Sequence, residues 1–275
     1  MGDCGSGVHL SNTQLPRDLS LSPEDPEEIS VLVTGFGPFK SNLVNASYLI
    51  ASSLPPSLSL PTDVDGTPAA RRIAIHVHPS PISVAYSAVR TSIPTIMEHY
   101  VKTHGRQPDI VIHMGIAATR NYYSVETKAH RDAYHMPDNL GRAGYEDGEK
   151  LWRELDLPPV LKAGPSKSAT GPVVKLDLTS PRTNLVPHPP DNEFLKTWQG
   201  LAPSADIRIS EDAGRYLCEF IFYASLSLAI QEGRDRNVAF FHVPSSCRDE
   251  DIEAGTGVAV GLIKALVASW VGEEV

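Results

Sequence analysis

The sequence predicts one α/β domain, a three-layer α/β/α sandwich in which helices cover both faces of a largely parallel, mixed and twisted β-sheet. Short β-branched runs alternate along the chain with amphipathic stretches of helical period, and strands joined through helices of this length pair in parallel. The 275 residues are 41% hydrophobic and 21% charged without a break in mid-chain, which favours one sizeable core over two equal domains.

The predicted strands are short apolar runs rich in Val, Ile and Phe. They cover residues 29–34, 71–79, 109–115, 206–210 and 238–243. The predicted helices carry apolar residues at helical spacing between these runs. They cover residues 45–54, 84–105, 213–232 and 251–271, with a weaker stretch at 192–200.

Two segments fall outside this alternation. Residues 1–28 are rich in Ser, Pro, Asp and Glu and predict a disordered tail, which leaves 29–275 as the single domain. Within it, about 141–205 is rich in Pro, Ser, Lys and Gly and predicts a variable surface insertion. Gly2 starts a short N-myristoylation pattern, but the acidic Asp3 and the lack of a following basic cluster oppose stable membrane association.

Charge and cysteine content exclude several classes of function. A formal net charge of -9 leaves no basic face for nucleic acid. The three cysteines, at 4, 218 and 247, cannot all pair, and their spacing fits neither a disulfide scaffold nor a zinc site. The first 30 residues contain no apolar leader. We therefore expect a cytoplasmic protein without metal or cofactor.

Two reactive side chains follow predicted strands, at the sheet edge where active sites of open α/β folds form. Cys218 lies near the start of a helix, where free N–H groups, the helix dipole and Arg215 favour a thiolate. His242 ends the next strand. We expect the two strands to be neighbours, about 5 Å apart, so that His242 can take the thiol proton. Either residue alone is more typical of a structural role, and only their combination favours a catalytic pair.

Two segments around these residues resemble motifs of the pyroglutamyl-peptidase I family. Residues 210–218 (SEDAGRYLC) are similar to its nucleophile motif S-x-S-A-G-x-x-x-C. Residues 241–244 (FHVP) are similar to its I-H-V-P motif, and the histidine follows the cysteine by 24 residues, much as in the family.

Earlier segments extend the resemblance in the same order. Residues 31–39 with 45–47 are similar to T-G-F-x-P-F…N-P-S, and 115–126 with 137–139 are similar to G-Q-A-G-G-R-x-x-x-T-x-E and P-D-N. The match spans about 30–272 and is weakest in the insertion.

The resemblance implies a phosphorylase/hydrolase-like fold and a cysteine-type omega-peptidase that removes N-terminal pyroglutamate from small peptides through a thioester. It implies Cys218 as nucleophile, His242 as base and Glu126 as the residue that orients the base. From the residues alone, Glu126 is more typical of a solvated surface charge. Whether the protein is a homo-oligomer is left open.

The resemblance also implies a pocket for the lactam ring. Its aromatic and wall residues correspond to Phe36, Phe39, Tyr216 and Leu217. An apolar pocket fits this group, because a cyclised N-terminus has no ammonium to desolvate. Both phenylalanines are equally typical of ordinary core packing.

Several family positions are altered here. Ile116 replaces a glutamine, Glu219 an asparagine, and His135 an arginine thought to stabilise the oxyanion. Ala118, Thr119 and Ala46 replace two glycines and a proline. These changes bear on rate and substrate choice more than on reaction class. They also support an alternative, in which an impaired family member serves as a binding module for a lactam or peptide.

Three other interpretations fit the residues less well. Gly35-Phe36-Gly37 resembles half of a dinucleotide fingerprint, but Lys40 stands where its third glycine belongs. Cys247 matches no nucleophile motif. His130, Asp132, His135 and Asp138 lack the tight spacing of a metal site and fit a solvated or substrate-rim loop.

Overall fold

A computed structural model of the protein describes residues 28–39, 43–64, 67–166 and 185–272. The myristoylation pattern and all of the predicted tail except Glu28 lie outside the described residues. The same holds for the middle of the predicted insertion, residues 167–184.

Seven of the strands in the described part of the chain form one mixed sheet. The strands are β1 (Ile29–Gly35), β2 (Ser57–Val64), β3 (Thr67–Val77), β4 (Ile110–Ile116), β5 (Tyr123–Glu126), β6 (Ala129–His130), β7 (Val160–Leu161), β8 (Ile207–Ser210) and β9 (Val238–Val243). The order across the sheet is β2-β3-β1-β4-β9-β5-β8, and β6 pairs separately with β7. In the large sheet β2 is antiparallel to β3 and β5 to β9, whereas the other neighbours are parallel. The predicted largely parallel, mixed sheet is confirmed.

Helices connect most of these strands. They are α1 (Ala46–Ser52), α2 (Tyr86–His104), α3 (Lys150–Glu154), α4 (Asn192–Leu201), α5 (Leu217–Gln231) and α6 (Asp249–Val271). The side chain of Asn45 caps α1 by accepting a hydrogen bond from Ser47 N at 3.1 Å. Gly105 ends α2 at a φ of 70°, a conformation that favours glycine.

Two hydrophobic clusters lie on opposite faces of the sheet. Cluster 1 contains strand residues such as Phe241 together with residues of α1, α4 and α6. Cluster 2 contains Phe240 together with residues of α2 and α5. Because successive side chains of a strand point to opposite faces, neighbours such as Phe240 and Phe241 belong to different clusters. The layers are therefore helix, sheet and helix, as predicted.

Part of the predicted surface insertion belongs to the core. The side chains of Phe194 and Trp198 on α4 are buried in cluster 1, and Trp198 Nε1 donates a hydrogen bond to the carbonyl of Val258 on α6 at 3.0 Å. The apolar face of α4 explains this position, because two large aromatic side chains on one short helix need an apolar partner.

The prediction that the strands before Cys218 and through His242 are neighbours is wrong. The short strand β5 lies between β8 and β9, parallel to β8 and antiparallel to β9. The period-2 pattern of four residues was too short to show β5 in the sequence. Cys218 and His242 must therefore meet in another way.

The last helix passes a simple test for a membrane span. By length and composition α6 could cross a bilayer, but more than half of its apolar window is buried inside the protein. Residues such as Leu262, Ile263 and Leu266 lie in cluster 1, which is the packing of a core helix.

Candidate active site

The carboxyl ends of β4 and β9 form the floor of the candidate site. Gly115 of β4 and His242 of β9 are partners in the parallel register. The imidazole of His242 lies against the ring of Phe240, with centroids 4.8 Å apart, and Phe240 belongs to cluster 2. Both floor residues therefore face the side of the sheet that α5 covers.

Cys218 reaches this floor from the second residue of α5. A Cβ placed on Gly115 would lie 2.8 Å from Cys218 Sγ and 2.9 Å from Phe240 Cζ. The sulfur thus occupies the space above Gly115 that any other residue would fill. Since Gly115 and His242 are register partners, the helix brings the thiol to the strand next to the histidine. Cys218 is a free, partly buried cysteine.

The surroundings of the thiol disfavour its charged form. Burial raises the pKa of Cys218 to about 12, the charge of Glu126 acts in the same direction, and Arg120 opposes both. Burial therefore outweighs the backbone hydrogen bond at Cys218, near the helix start, which acts to lower the pKa of the thiol. The Arg215 guanidinium is engaged elsewhere, 2.7 Å from Glu219 Oε2. The thiol needs a base to take its proton during the reaction.

A histidine–carboxylate pair lies in the sheet beside the thiol. His242 Nδ1 and Glu126 Oε1 are 2.7 Å apart, and both side chains are buried. Burial acts to raise the pKa of Glu126, but His242, Ser210 and Arg120, through hydrogen bonds and the charge of His242, hold it below its ordinary value. An ionised Glu126 requires a proton on Nδ1, which leaves Nε2 of a neutral His242 as the acceptor. The structure thus pairs two of the predicted site residues directly.

Arg120 is a site residue that was not predicted from the sequence. Its guanidinium is 2.9 Å from Glu126 Oε1 and donates a hydrogen bond to Ser124 Oγ at 2.7 Å. It also donates to the carbonyl of Asp212, in the loop before α5, at 3.0 Å. The available signal was its position within the segment 115–126, where the family motif also has an arginine.

The predicted pocket aromatics lie close to the start of α5. The rings of Phe39 and Tyr216 are 5.3 Å apart, and those of Tyr216 and Tyr86 are 5.9 Å apart. Tyr216 Oη also donates a hydrogen bond to the carbonyl of Pro137 at 3.2 Å, which fixes its ring beside the loop after β6. Phe36 is buried in cluster 2, and Phe39 packs against that cluster.

The remaining predicted wall residues have different surroundings. Leu217 is buried in cluster 2, on the same side as Cys218. Ile116 packs against cluster 1, which lies on the opposite face of the sheet. His135 is exposed on the loop after β6.

The residues considered as a metal cluster are engaged separately. His130 Nδ1 is 2.6 Å from Glu219 Oε1, Asp132 pairs with Arg153 at 2.9 Å, and Asp138 accepts a hydrogen bond from Tyr86 N at 2.8 Å. Glu219 itself is fully buried, and burial raises its pKa.

The other candidate nucleophile lies in a different loop. Cys247 is exposed, and its Sγ is 3.8 Å from the carbonyl oxygen of Val44.

Comparison with known proteins supports one family. The chain matches no protein-family model. It is 30% identical over 227 residues to pyroglutamyl-peptidase 1 of Mus musculus, which covers 80% of this chain and 81% of the mouse protein. Pyrrolidone-carboxylate peptidase of Pyrococcus furiosus is 26% identical, over 78% of this chain and 81% of its own.

Solved structures share the fold. Pyrrolidone carboxyl peptidase of Thermococcus litoralis superimposes with a TM-score of 0.56 at 21% identity, over 88% of this chain and 96% of that one. Pyroglutamyl peptidase I of Bacillus amyloliquefaciens gives a TM-score of 0.55 at 19% identity, over 87% and 97% of the two chains. With its sequence related to the mouse enzyme over most of both chains, the protein belongs to the pyroglutamyl-peptidase 1 family of peptidases.

Proposed function

We propose that this protein is a cysteine peptidase that removes a pyroglutamyl residue from the N-terminus of peptides. The observation that carries the proposal is the arrangement at the sheet edge. Cys218 Sγ lies above Gly115, the register partner of His242, and His242 is hydrogen bonded to Glu126. The relatives are named for this activity, which supports the choice of substrate.

In the proposed mechanism His242 Nε2 accepts the thiol proton as the sulfur of Cys218 attacks the carbonyl carbon of the pyroglutamyl residue. The C–S bond forms and the carbonyl π electrons move to the oxygen. Because the pKa of the thiol is raised to about 12, proton transfer accompanies the attack rather than preceding it. Glu126 stabilises the resulting imidazolium.

The oxyanion needs hydrogen-bond donors near the sulfur. The first N–H groups of α5 lack partners within the helix and lie next to Cys218, so they are the donors we assign. Collapse of the intermediate breaks the C–N bond, and the leaving amine takes the proton from His242. Water, deprotonated by His242, then hydrolyses the thioester and restores the thiol.

Aromatic side chains beside the nucleophile support an uncharged substrate group. The ring of Phe39 lies 5.3 Å from that of Tyr216, which comes two residues before Cys218, and the lactam ring carries no ammonium. An ordinary charged N-terminus would lose its hydration against these rings, which costs several kcal/mol. The apolar pair therefore selects pyroglutamate over a free amino terminus. A cytoplasmic location without stable membrane association stays a prediction from the sequence.

The test is hydrolysis of pyroglutamyl-aminomethylcoumarin, with alanyl-aminomethylcoumarin as the charged comparison. We expect the wild type to release coumarin from the first compound and at most slowly from the second. Cys218→Ala should reduce kcat by roughly 10⁴-fold or more, and Glu126→Gln by about 10²- to 10⁴-fold. Cys247→Ala, at the exposed cysteine, is the matched control and should keep wild-type activity.

Two outcomes would contradict the proposal. Full activity of Cys218→Ala would remove the assigned nucleophile. A folded wild type that binds a pyroglutamyl peptide in calorimetry but never cleaves it would instead identify the impaired binding module.

A further inference from the structure

We propose that Arg120 is a positioning residue of this site. Its guanidinium holds Glu126 in the orientation that pairs with His242, and it ties that carboxylate to the loop leading into the nucleophile helix. The inference rests on the proposed function and adds a fourth side chain to its proton-transfer machinery.

Arg120 and His242 contact the same carboxylate oxygen of Glu126. Arg120 Nη1 is 2.9 Å from Glu126 Oε1, the same oxygen that lies 2.7 Å from His242 Nδ1. Glu126 Oε2 is buried and accepts no hydrogen bond from any residue that the structure describes. The carboxylate is therefore held through Oε1, by the histidine and the arginine together. Without the arginine, Oε1 would keep the histidine as its one remaining hydrogen-bond partner among the described residues.

A second set of contacts fixes the guanidinium itself. Nη1 also donates to Ser124 Oγ at 2.7 Å, and Ser124 is the register partner of His242. Nη2 donates to the Asp212 carbonyl at 3.0 Å, in the loop between β8 and α5. One side chain thus joins the turn after β4, strand β5 and the approach to Cys218.

Arginine suits this position better than lysine. The planar guanidinium offers five donors in a fixed fork, whereas a lysine ammonium is a single point of attachment on a flexible stem. The side chain is 20% exposed and its partner carboxylate is fully buried, so the ion pair is poorly screened by solvent. The backbone supports the same position, since Arg120 N donates to the carbonyl of Ala117 at 2.9 Å.

The charge of Arg120 also acts on the reacting groups. A cation at this place favours the ionised carboxylate of Glu126 and opposes the burial that raises the pKa of Cys218. Removal of the cation should therefore raise the pKa of the thiol further. A residue that merely stabilised the fold would not move the titration of the nucleophile.

The test compares Arg120→Gln with Arg120→Lys and with Arg208→Gln as the matched control. The guanidinium of Arg120 lies 5.7 Å from the centroid of the Tyr122 ring, and that of Arg208 lies 3.9 Å from it. Arg208 pairs with Asp206 rather than with Glu126. The measurements are kcat and KM on pyroglutamyl-aminomethylcoumarin, the pH dependence of Cys218 alkylation by iodoacetamide, and thermal unfolding.

We expect Arg120→Gln to reduce kcat roughly 10- to 100-fold, as for a catalytic group displaced by up to an ångström, with KM changed less than about threefold. The alkylation profile should move to higher pH. Arg120→Lys keeps the charge, so its alkylation profile should lie closer to that of the wild type than the profile of Arg120→Gln does. Because lysine lacks the fork, kcat should recover less than the alkylation profile does. Arg208→Gln should match the wild type.

The inference is overturned if folded Arg120→Gln matches the wild type in kcat and alkylation profile. If Arg120→Gln does not fold, Arg120→Lys is compared with the wild type instead. A wild-type kcat in Arg120→Lys would then show that the two-pronged guanidinium is not needed to position Glu126. Alkylation needs no turnover, so it separates the two proposals. An inactive wild type refutes the peptidase function. If the wild type is active and substitution of Arg120 changes neither kcat nor the alkylation profile, only the positioning role is refuted.

Discussion

Replacement of Gly115 by alanine tests the position of the nucleophile most directly. The new methyl carbon would lie 2.8 Å from Cys218 Sγ and 2.9 Å from Phe240 Cζ. Non-bonded carbon atoms prefer separations of about 3.5–4.0 Å, and sulfur is larger than carbon. The sulfur must therefore retreat by roughly 0.7 Å or more from Gly115 on β4, the strand beside the one that carries His242.

This displacement sets the expected loss of rate. A misplacement near 1 Å of a reacting group costs about 10²-fold, so we expect kcat for Gly115→Ala to fall roughly 10- to 100-fold, equivalent to about 1.4–2.7 kcal/mol of barrier. The second clash, with a buried phenylalanine ring, should cost about 1–3 kcal/mol of unfolding free energy, as in other overpacked cores.

The assay measures kcat on pyroglutamyl-aminomethylcoumarin and the rate of Cys218 alkylation in the folded enzyme. Gly200→Ala is the matched control, because a Cβ at Gly200 on α4 meets nothing within 4 Å. That variant should keep its activity and gain about 0.5–1 kcal/mol in unfolding free energy. A folded Gly115→Ala enzyme with kcat within twofold of the wild type would refute the placement of the sulfur above this glycine.

Three further predictions concern buried charges and a helix cap. Burial lowers the pKa of His113 to about 3 from the ordinary 6.5, so stability present above pH 6.5 is lost as the pH falls toward 3. The unfolding free energy should drop by about 2 kcal/mol from this residue between pH 7 and pH 5, and urea titrations of His113→Asn should lack that drop. Asp191 caps α4 by accepting two backbone hydrogen bonds, so Asp191→Ala should cost about 1 kcal/mol at pH 7, and an unchanged urea midpoint would contradict the cap. The negative charge of Glu219 contributes to the raised pKa of the Cys218 thiol, so Glu219→Gln should move the alkylation midpoint to lower pH, and a shift to higher pH would exclude this effect.

Most of the fold could be predicted because its signals are local. The strand at 238–243 has the predicted bounds, and the helices predicted at 84–105 and 251–271 differ from the observed ones by two residues or fewer at each end. Long periodic segments determine their own secondary structure. The strand β5 was missed because four residues carry too little periodicity. Its place between β8 and β9 then overturned the predicted strand neighbours.

The candidate site was predicted unevenly for a similar reason. Cys218, His242 and Glu126 were identified from ordered motifs, and the histidine–glutamate contact is present in the structure. Arg120 was missed because its importance depends on contacts with Ser124, Glu126 and the Asp212 carbonyl that form only in the folded chain. The raised pKa of the thiol was also missed, because the helix start is visible in the sequence while the burial of the sulfur is not.

The sequence by itself determined which segments are strands and helices, and which residue types could do nucleophilic chemistry, because periodicity and motif order are properties of the chain alone. Tertiary structure alone decided that the thiol lies over Gly115 and that Glu126 is shared by His242 and Arg120. It also decided that burial keeps the thiol protonated at rest. These outcomes depend on strand order, register and exclusion of water, which arise only when distant segments pack together.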